Sequence, residues 1–350
     1  MVDFRSFCSG ELEPDPAGTT VLTGPNGSGK TSLLEAVGYA TTLRSFRGAT
    51  RGAMVRTGAD RAIVRATLER DGRPVMVEAE LVAAGRSRAQ LNRQPVRSRY
   101  ELAQVVAVTV FSPGDLGLVQ GPPAGRRELL DQALAAIDPQ AVSLLERVER
   151  VLRQRAALLR QAGARAGGEV LGSLDVWDER LAGAGEELAD RRRRLVADLV
   201  RPVAEAYDAL VIGGDDGVGE AVTLRYERSW EGPLSTALAE ARRDDLRRGV
   251  STVGPHRDDL VLGLGGRDAR TQASQGQQRC LALSLRLAVH RLVTIETASP
   301  PLLLLDDVFS ELDPARSRAL VRSLPTGQAL LTTAVPLPGG VEVAKVVPVG

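Results

Sequence analysis

Three hydrophobic patterns divide this chain. Residues 61–82 alternate apolar and polar positions on either side of Asp71-Gly72, which predicts an antiparallel hairpin. Ala89-Gln90-Leu91-Asn92 reads as a further strand beside it. Short apolar runs lie elsewhere, at Val21-Leu22-Thr23, Val105 to Phe111, Leu302 to Leu305 and Ala329 to Thr333, with another strand at Val341 to Val347. The four leucines at 302–305 have no polar face, as a parallel strand covered on both sides requires. Between about 126 and 210 the period becomes helical: Leu145, Val148, Leu152, Arg155 and Leu159 step by three and four, and after a break at Gly163 to Gly168 the steps resume from Leu174 through Trp177, Leu181, Ala184, Leu188 and Arg191 to Leu195. Two antiparallel helices of roughly 20 to 30 residues would form a short arm of about 30–45 Å.

The expected architecture is α/β: a head with a mixed sheet, in which an antiparallel part flanks a parallel core, and an inserted, mainly helical second lobe. The head occupies 1–125 and 251–350, the arm lobe 126–250. Residues 211–263, with a strand at Ala221 to Tyr226 and a polar helix around Leu234 to Arg248, are read as returning to the head.

Composition narrows the class. With 45 basic and 44 acidic residues the chain carries a net charge of +1, so a nucleic-acid partner would have to be met by local arginine clusters. Arg44, Arg47, Arg51, Arg126 and Arg127, near motif boundaries, are the candidates; the run Arg191 to Arg194 is either a solvated helix face or a phosphate-contacting stripe. Two cysteines, Cys8 and Cys280, lack metal-ligand spacing and imply a reducing compartment. No apolar stretch is long enough to span a membrane and no signal peptide is recognisable, so a soluble, cytoplasmic protein without a membrane partner is expected.

Chemistry enters with Gly24-Pro25-Asn26-Gly27-Ser28-Gly29-Lys30-Thr31, which follows a strand and opens a helix through Ser32. Glycines let backbone N–H groups curl around a phosphate at the helix N-terminus. Lysine is otherwise almost absent: Lys30 and Lys345 stand against an arginine-rich background. A compact ammonium fits the phosphate cradle better than a guanidinium fork, which explains the exception. ATP and Mg2+ are the expected ligands, with the Thr31 hydroxyl and Asp306, at the end of the leucine strand, sharing the metal. Asp307 is placed to activate the attacking water; its short side chain, where most ABC-type ATPases have Glu, predicts slow hydrolysis. Ser274-Gln275-Gly276-Gln277-Gln278-Arg279 opens a helix ahead of that strand. Its Ser hydroxyl and helix N-terminus suit an anion, and because the chain's own P-loop takes its own nucleotide, the signature is expected to cap ATP on a second copy, giving an ATP-dependent homodimer. His256 is read as structural and His290 as ordinary packing or surface.

Several of these segments in order resemble the RecF family of bacterial recombination and replication-repair ATPases: Gly24 to Thr31, Ser45-Phe46-Arg47, Leu91-Asn92, Val110 to Leu116, Gly125 to Asp131, Gly254 to Asp259, Ser274 to Arg279 and Leu305 to Asp313. The resemblance implies an ABC/SMC-like head with an arm far shorter than SMC coiled coils. It also implies DNA binding (single- and double-stranded, at gaps or junctions), cooperation with RecR and RecO in loading a recombinase, and support of the SOS response. It makes Ser310 to Asp313 the D-loop and leaves Gln104 and Gln120 as Q-loop candidates. Met1-Val2-Asp3 is shorter than the strand family members place before Phe4-Arg5-Ser6-Phe7, from which a late start is expected. Alternatives are the ABC-type ATPase head of another DNA-associated or transport complex and a scaffold that binds ATP without hydrolysing it.

Overall fold

The computed structural model describes residues 1–70, 72–162, 168–211 and 220–350, so the turn residue Asp71 and the break at 163–167 lie outside the described residues. In chain order come β1 (Val2–Phe4), β2 (Phe7–Ser9), β3 (Thr19–Thr23), α1 (Lys30–Thr42), α2 (Arg51–Met54), β4 (Arg61–Arg70), β5 (Arg73–Val82), β6 (Arg88–Leu91) and β7 (Gln94–Pro95). Next are α3 (Tyr100–Ala103), β8 (Val108–Phe111), α4 (Leu116–Gln120), α5 (Pro123–Ile137), α6 (Pro139–Ala162), α7 (Gly168–Val211), β9 (Val222–Glu227) and α8 (Leu234–Arg248). The chain ends with β10 (Asp259–Leu264), β11 (Arg267–Asp268), α9 (Ala269–Gln272), α10 (Gln275–Thr297), β12 (Leu302–Asp306), α11 (Pro314–Ser323), β13 (Ala329–Thr333) and β14 (Lys345–Pro348).

These elements form two compact units, one of Met1–Val119, Pro202–Glu220 and Ser274–Gly350, the other of Gln120–Arg201 and Ala221–Ala273. In the first, antiparallel and parallel strands segregate. One sheet has the order β2-β1-β4-β5-β6-β7 and is antiparallel throughout, with β4 and β5 paired from Arg61↔Val82 to Arg70↔Arg73. The other, β14-β3-β13-β12-β8, is wholly parallel. Helix α1 serves both. Ala36, Tyr39 and Ala40 pack with Met54 of α2 and with Val64 and Leu81 of the antiparallel layer, while Leu34 joins Val110, Leu304 and Leu330 of the parallel one. A helix apolar on two opposite faces is one buried between layers, and α1 thereby fixes the P-loop at its own first residue.

The second unit is built from α5, α6, most of α7, α8 and the antiparallel sheet β11-β10-β9. Val151, Leu181 and Ala189 pack against Trp230, Leu234 and Leu238. Two expectations change here. Residues 221–273 stay with the helical unit instead of returning to the head at 211–263 or 251, because β10 pairs with β9 along its whole length, Asp259↔Glu227 to Leu264↔Val222. Helix α6 has the expected length, but α7 runs for 44 residues, about 66 Å at 1.5 Å each. Pro202 sits inside it, removing one backbone hydrogen bond without ending the helix, and the boundary between units falls at that residue. Among the described residues no helix is long and apolar enough to cross a membrane, and no group of His, Cys, Asp or Glu forms a metal cluster of its own.

Candidate functional site

In an open parallel sheet, ligands bind beyond the carboxyl ends of the strands. Here β3, β12 and β13 end together at Thr23, Asp306 and Thr333. The loop after β3 turns at Gly29, whose φ of +100° lies in the left-handed region. A side chain there would also fail sterically, since a Cβ would stand 2.5 Å from two ring carbons of Phe7. Phe7 of β2 thus braces the loop immediately before Lys30. The Lys30 side chain is buried, and its Nζ donates to the carbonyls of Gly24 (2.8 Å) and Pro25 (2.9 Å). The buried Ser28 hydroxyl has no protein partner, the condition of a donor meant for a ligand.

The two distant motifs meet directly. Thr31 Oγ1 donates to Asp306 Oδ1 at 2.7 Å, and Thr332 Oγ1, at the end of β13, donates to the same oxygen at 2.8 Å. Burial pushes the Asp306 carboxyl up from the ordinary carboxylate range, opposed by those hydroxyls and by the nearby Arg47 guanidinium. A hydroxyl and a carboxylate oxygen at this spacing suit a magnesium ion, which prefers hard oxygen ligands. The residues present therefore fit ATP and Mg2+. Asp307 follows in a left-handed conformation, φ 49°. Its N–H donates to Thr332, with the carbonyl at 3.2 Å and the hydroxyl at 3.0 Å. The backbone is fixed while the half-buried carboxylate stays outside that hydrogen-bond pair.

The signature opens α10 as a capping box: Gln277 N donates to Ser274 Oγ, and Ser274 N donates to Gln277 Oε1 at 2.8 Å. Gln277 therefore shapes the helix start, while Ser274 and Gln275 stand exposed. Ser310 lies in the 3-10 turn after Asp307, its hydroxyl donating to the Asp307 carbonyl at 2.8 Å, and Asp313 caps α11 by accepting from Arg316 N at 2.8 Å. P-loop, acidic strand end, signature and D-loop all lie in the first unit.

The arginine candidates divide. Arg44, Arg47 and Arg51 are exposed around the end of α1 and the start of α2. Arg126 is not a surface contact: it is 3% exposed and makes a bidentate ion pair with Asp259 (2.7 and 2.8 Å) inside the second unit. Arg127 is half-buried and donates to the Asp258 carbonyl. The buried pair takes Arg126 out of the nucleic-acid set, while Arg127 is held by a single bond to a backbone carbonyl. The stretch Arg191 to Arg194 splits the same way, since Arg192 is buried on Asp131 while Arg193 and Arg194 face solvent.

Three site-supporting features escape a sequence reading. Thr332 was visible only as a polar pair ending an apolar strand. Glu35, on buried α1, accepts from Arg5 through both its oxygens (2.8 Å each) and from Ser45, and Arg47 approaches it at 3.8 Å. That pairing explains Phe4-Arg5 and Ser45-Phe46-Arg47 as one assembly around a charge that cannot be left bare. The third is Phe7 against Gly29. His256 is half-buried and His290 buried, bonded to the Ser251 carbonyl and the Thr109 hydroxyl respectively. Both cysteines are free, Cys280 buried and Cys8 exposed.

The RecF/RecN/SMC N terminal domain model matches residues 1–333. The DNA replication and repair protein RecF of Kineococcus radiotolerans is 43% identical, covering 96% of this chain and 92% of its own length. The protein of the same name from Frankia alni is 44% identical with the same coverage. Among solved structures, the recombination mediator protein RecF-ATP of the RecFOR pathway superposes with a TM-score of 0.82 at 27% identity, covering 95% of this chain and 90% of that one. An Smc head bound to the C-winged helix domain of ScpA shares the fold, with a TM-score of 0.53 at 16% identity.

Proposed function

Because this chain belongs to the RecF family, we propose that it works as an ATP-operated DNA clamp of replication and recombinational repair. It is an ABC-type ATPase. Lys30 and the backbone of Gly24 to Gly29 hold the phosphates, and Thr31 and Asp306 hold magnesium, which supplies charge neutralisation at the γ-phosphate when bound. Asp307, with its backbone pinned to Thr332, orients and deprotonates the attacking water. Its carboxylate is one methylene shorter than a glutamate's, so turnover is slow and the ATP-bound state long-lived.

The observation that carries this reading is the 2.7 Å contact between Thr31 and Asp306. It completes a nucleotide site in the same unit that presents the exposed Ser274 end of α10. That end caps the nucleotide of a second copy, so ATP joins two heads on DNA and hydrolysis releases them. Arg44, Arg47 and Arg51 are the DNA contacts, and gaps or junctions in single- and double-stranded DNA are the targets. RecR and RecO are the partners with which it loads recombinase in the cytoplasm and supports the SOS response.

Sedimentation with ATP and magnesium, with ADP, and without nucleotide, each with and without gapped DNA, tests the reading. A dimer with ATP alone is expected. Asp307→Asn should keep that dimer and lose phosphate release. A wild-type chain that stays monomeric under every condition overturns the proposal.

A further inference from the structure

The signature glycine is crowded by a charge. A Cβ at Gly276 would stand 3.0 Å from Arg316 Nη1 and 3.6 Å from its Cζ, so the guanidinium of the first turn of α11 lies directly against the first turn of α10. The same guanidinium is oriented from the other side. Arg316 Nη1 pairs with Asp313 Oδ2 at 3.2 Å while Asp313 Oδ1 accepts from the Arg316 backbone N–H at 2.8 Å. One carboxylate, the D-loop's helix cap, thus grips both ends of one residue, and that residue touches the signature.

The charge arithmetic makes this placement informative. A helix N-terminus carries a partial positive charge, so a guanidinium beside it is unfavourable unless an anion is near. Asp313 is one such anion, its side chain 43% exposed beside the 19% exposed side chain of Arg316. An anion arriving at the Ser274 end of α10 meets both the helix terminus and Arg316, and the strength of that field depends on where Asp313 holds the fork.

We infer that Arg316 is a positioning residue that couples the D-loop, through Asp313, to the signature at Gly276, and so sets how tightly the signature closes on the triphosphate held by a second copy of this chain. The inference rests on the dimer reading above. A side chain at 276 would press on the guanidinium, which would have to give by a few tenths of an ångström. Lysine at 316 keeps the charge but loses the planar fork that lies between carboxylate and helix.

The test uses the full chain with ATP and magnesium, measuring ATP affinity of the monomer at low protein concentration and the ATP-dependent dimer constant by sedimentation. Arg316→Ala should weaken dimerisation about tenfold or more, the consequence of losing one charge-assisted interaction, while monomer ATP affinity and the melting temperature stay near wild type. Arg316→Lys should recover part of the loss. Gly276→Ala should weaken dimerisation less than Arg316→Ala does in the wild-type background and add little to Arg316→Ala, since the contact then has no partner. Undiminished dimerisation of Arg316→Ala beside a dimerising wild type overturns the coupling alone. So does a loss of monomer ATP affinity or of melting temperature that accounts for the whole dimer defect, or a Gly276→Ala effect equal in both backgrounds. A wild type that never dimerises instead sinks the reading underneath.

Discussion

The buried carboxylates of the helical unit and the one at the nucleotide site are handled in opposite ways, although Glu35, elsewhere in the nucleotide-binding unit, is paired with Arg5. In the helical unit they are neutralised by arginine. Arg155, fully buried, donates to Asp178 and Asp245 at 2.6 Å each and to Ser251 at 2.7 Å. Arg192 grips Asp131 with two bonds of 2.7 and 2.8 Å and also reaches the Pro255 carbonyl. In the nucleotide-binding unit Asp306 is equally buried but is held by two neutral hydroxyls, those of Thr31 and Thr332. A charge satisfied by fixed guanidinium forks belongs to the architecture. One satisfied only by hydroxyls still favours a cation, and that residual demand is the property a magnesium site uses.

The comparison breaks most readily at Arg155. Removing one partner of a buried ion cluster leaves uncompensated charge, at a cost of about 3–5 kcal/mol; here Asp245 is left with only the Thr252 N–H and hydroxyl, while Asp178 keeps Arg242. Arg155→Ala should therefore lower the denaturation midpoint of the chain strongly, while the folded fraction binds ATP as before. Urea unfolding paired with a nucleotide titration checks both halves. A stability loss under about 1 kcal/mol would show that the cluster is dispensable.

Asp306→Asn tests the opposite side. The asparagine keeps the shape and can still accept from Thr31 and Thr332, so stability should hold or rise, since burial disfavours the charge it removes. Magnesium-dependent hydrolysis should fall about 100-fold or more, roughly 3 kcal/mol of transition-state stabilisation. Phosphate release against magnesium concentration is the measurement, and unchanged hydrolysis would remove Asp306 from the metal site.

A third effect is shared by both units and is graded by pH. The chain has two histidines, His256 in the helical unit and His290 on α10. Burial pushes both down to about 4, helped by the neighbouring Arg257, Arg127 and Arg155 for the first and by Arg291 for the second. Both are therefore neutral when folded, whereas the unfolded chain takes up protons from about 6.5 downward. Stability is fully present above about 6.5 and falls as pH drops toward 4, by up to about 1.4 kcal/mol per pH unit for each histidine, then levels. His256→Gln and His290→Gln should each flatten that slope between pH 6.5 and 4.5; a slope unchanged in both variants would assign the acid sensitivity elsewhere.

What could be read without a structure follows the same division. The P-loop, the leucine strand ending in Asp306 and the capping box at Ser274 are local solutions to local demands, so short segments announce them. The hairpin of 61–82 is legible because its period repeats over ten residues per strand. Arg126 reads as a DNA-contact candidate in the sequence because its partner Asp259 lies 133 residues away, and a basic residue beside a motif looks the same whether its counter-charge is a phosphate or a distant carboxylate. Glu35 and Arg5 are hidden for the same reason. Helix α7 outran its expected length because a single proline weakens a helix without stopping it, provided tertiary packing holds the flanks.

The finest test of the division concerns arginines on the two sides of it. Arg51 is exposed beside the nucleotide-binding unit's α1, whereas Arg126 is committed to Asp259. Each arginine that neutralises a DNA phosphate releases a counterion, so the dependence of binding on salt reports how many are engaged. Arg51→Ala should reduce the slope of log affinity against log salt by about one and weaken binding by about tenfold or less at physiological salt. Arg126→Leu should leave the slope at its wild-type value at temperatures where the variant stays folded, because that guanidinium releases no counterion when DNA arrives. If instead the slope drops for Arg126→Leu and not for Arg51→Ala, the buried pair must open on binding, and the helical unit's arginines would have to be counted with the DNA surface after all.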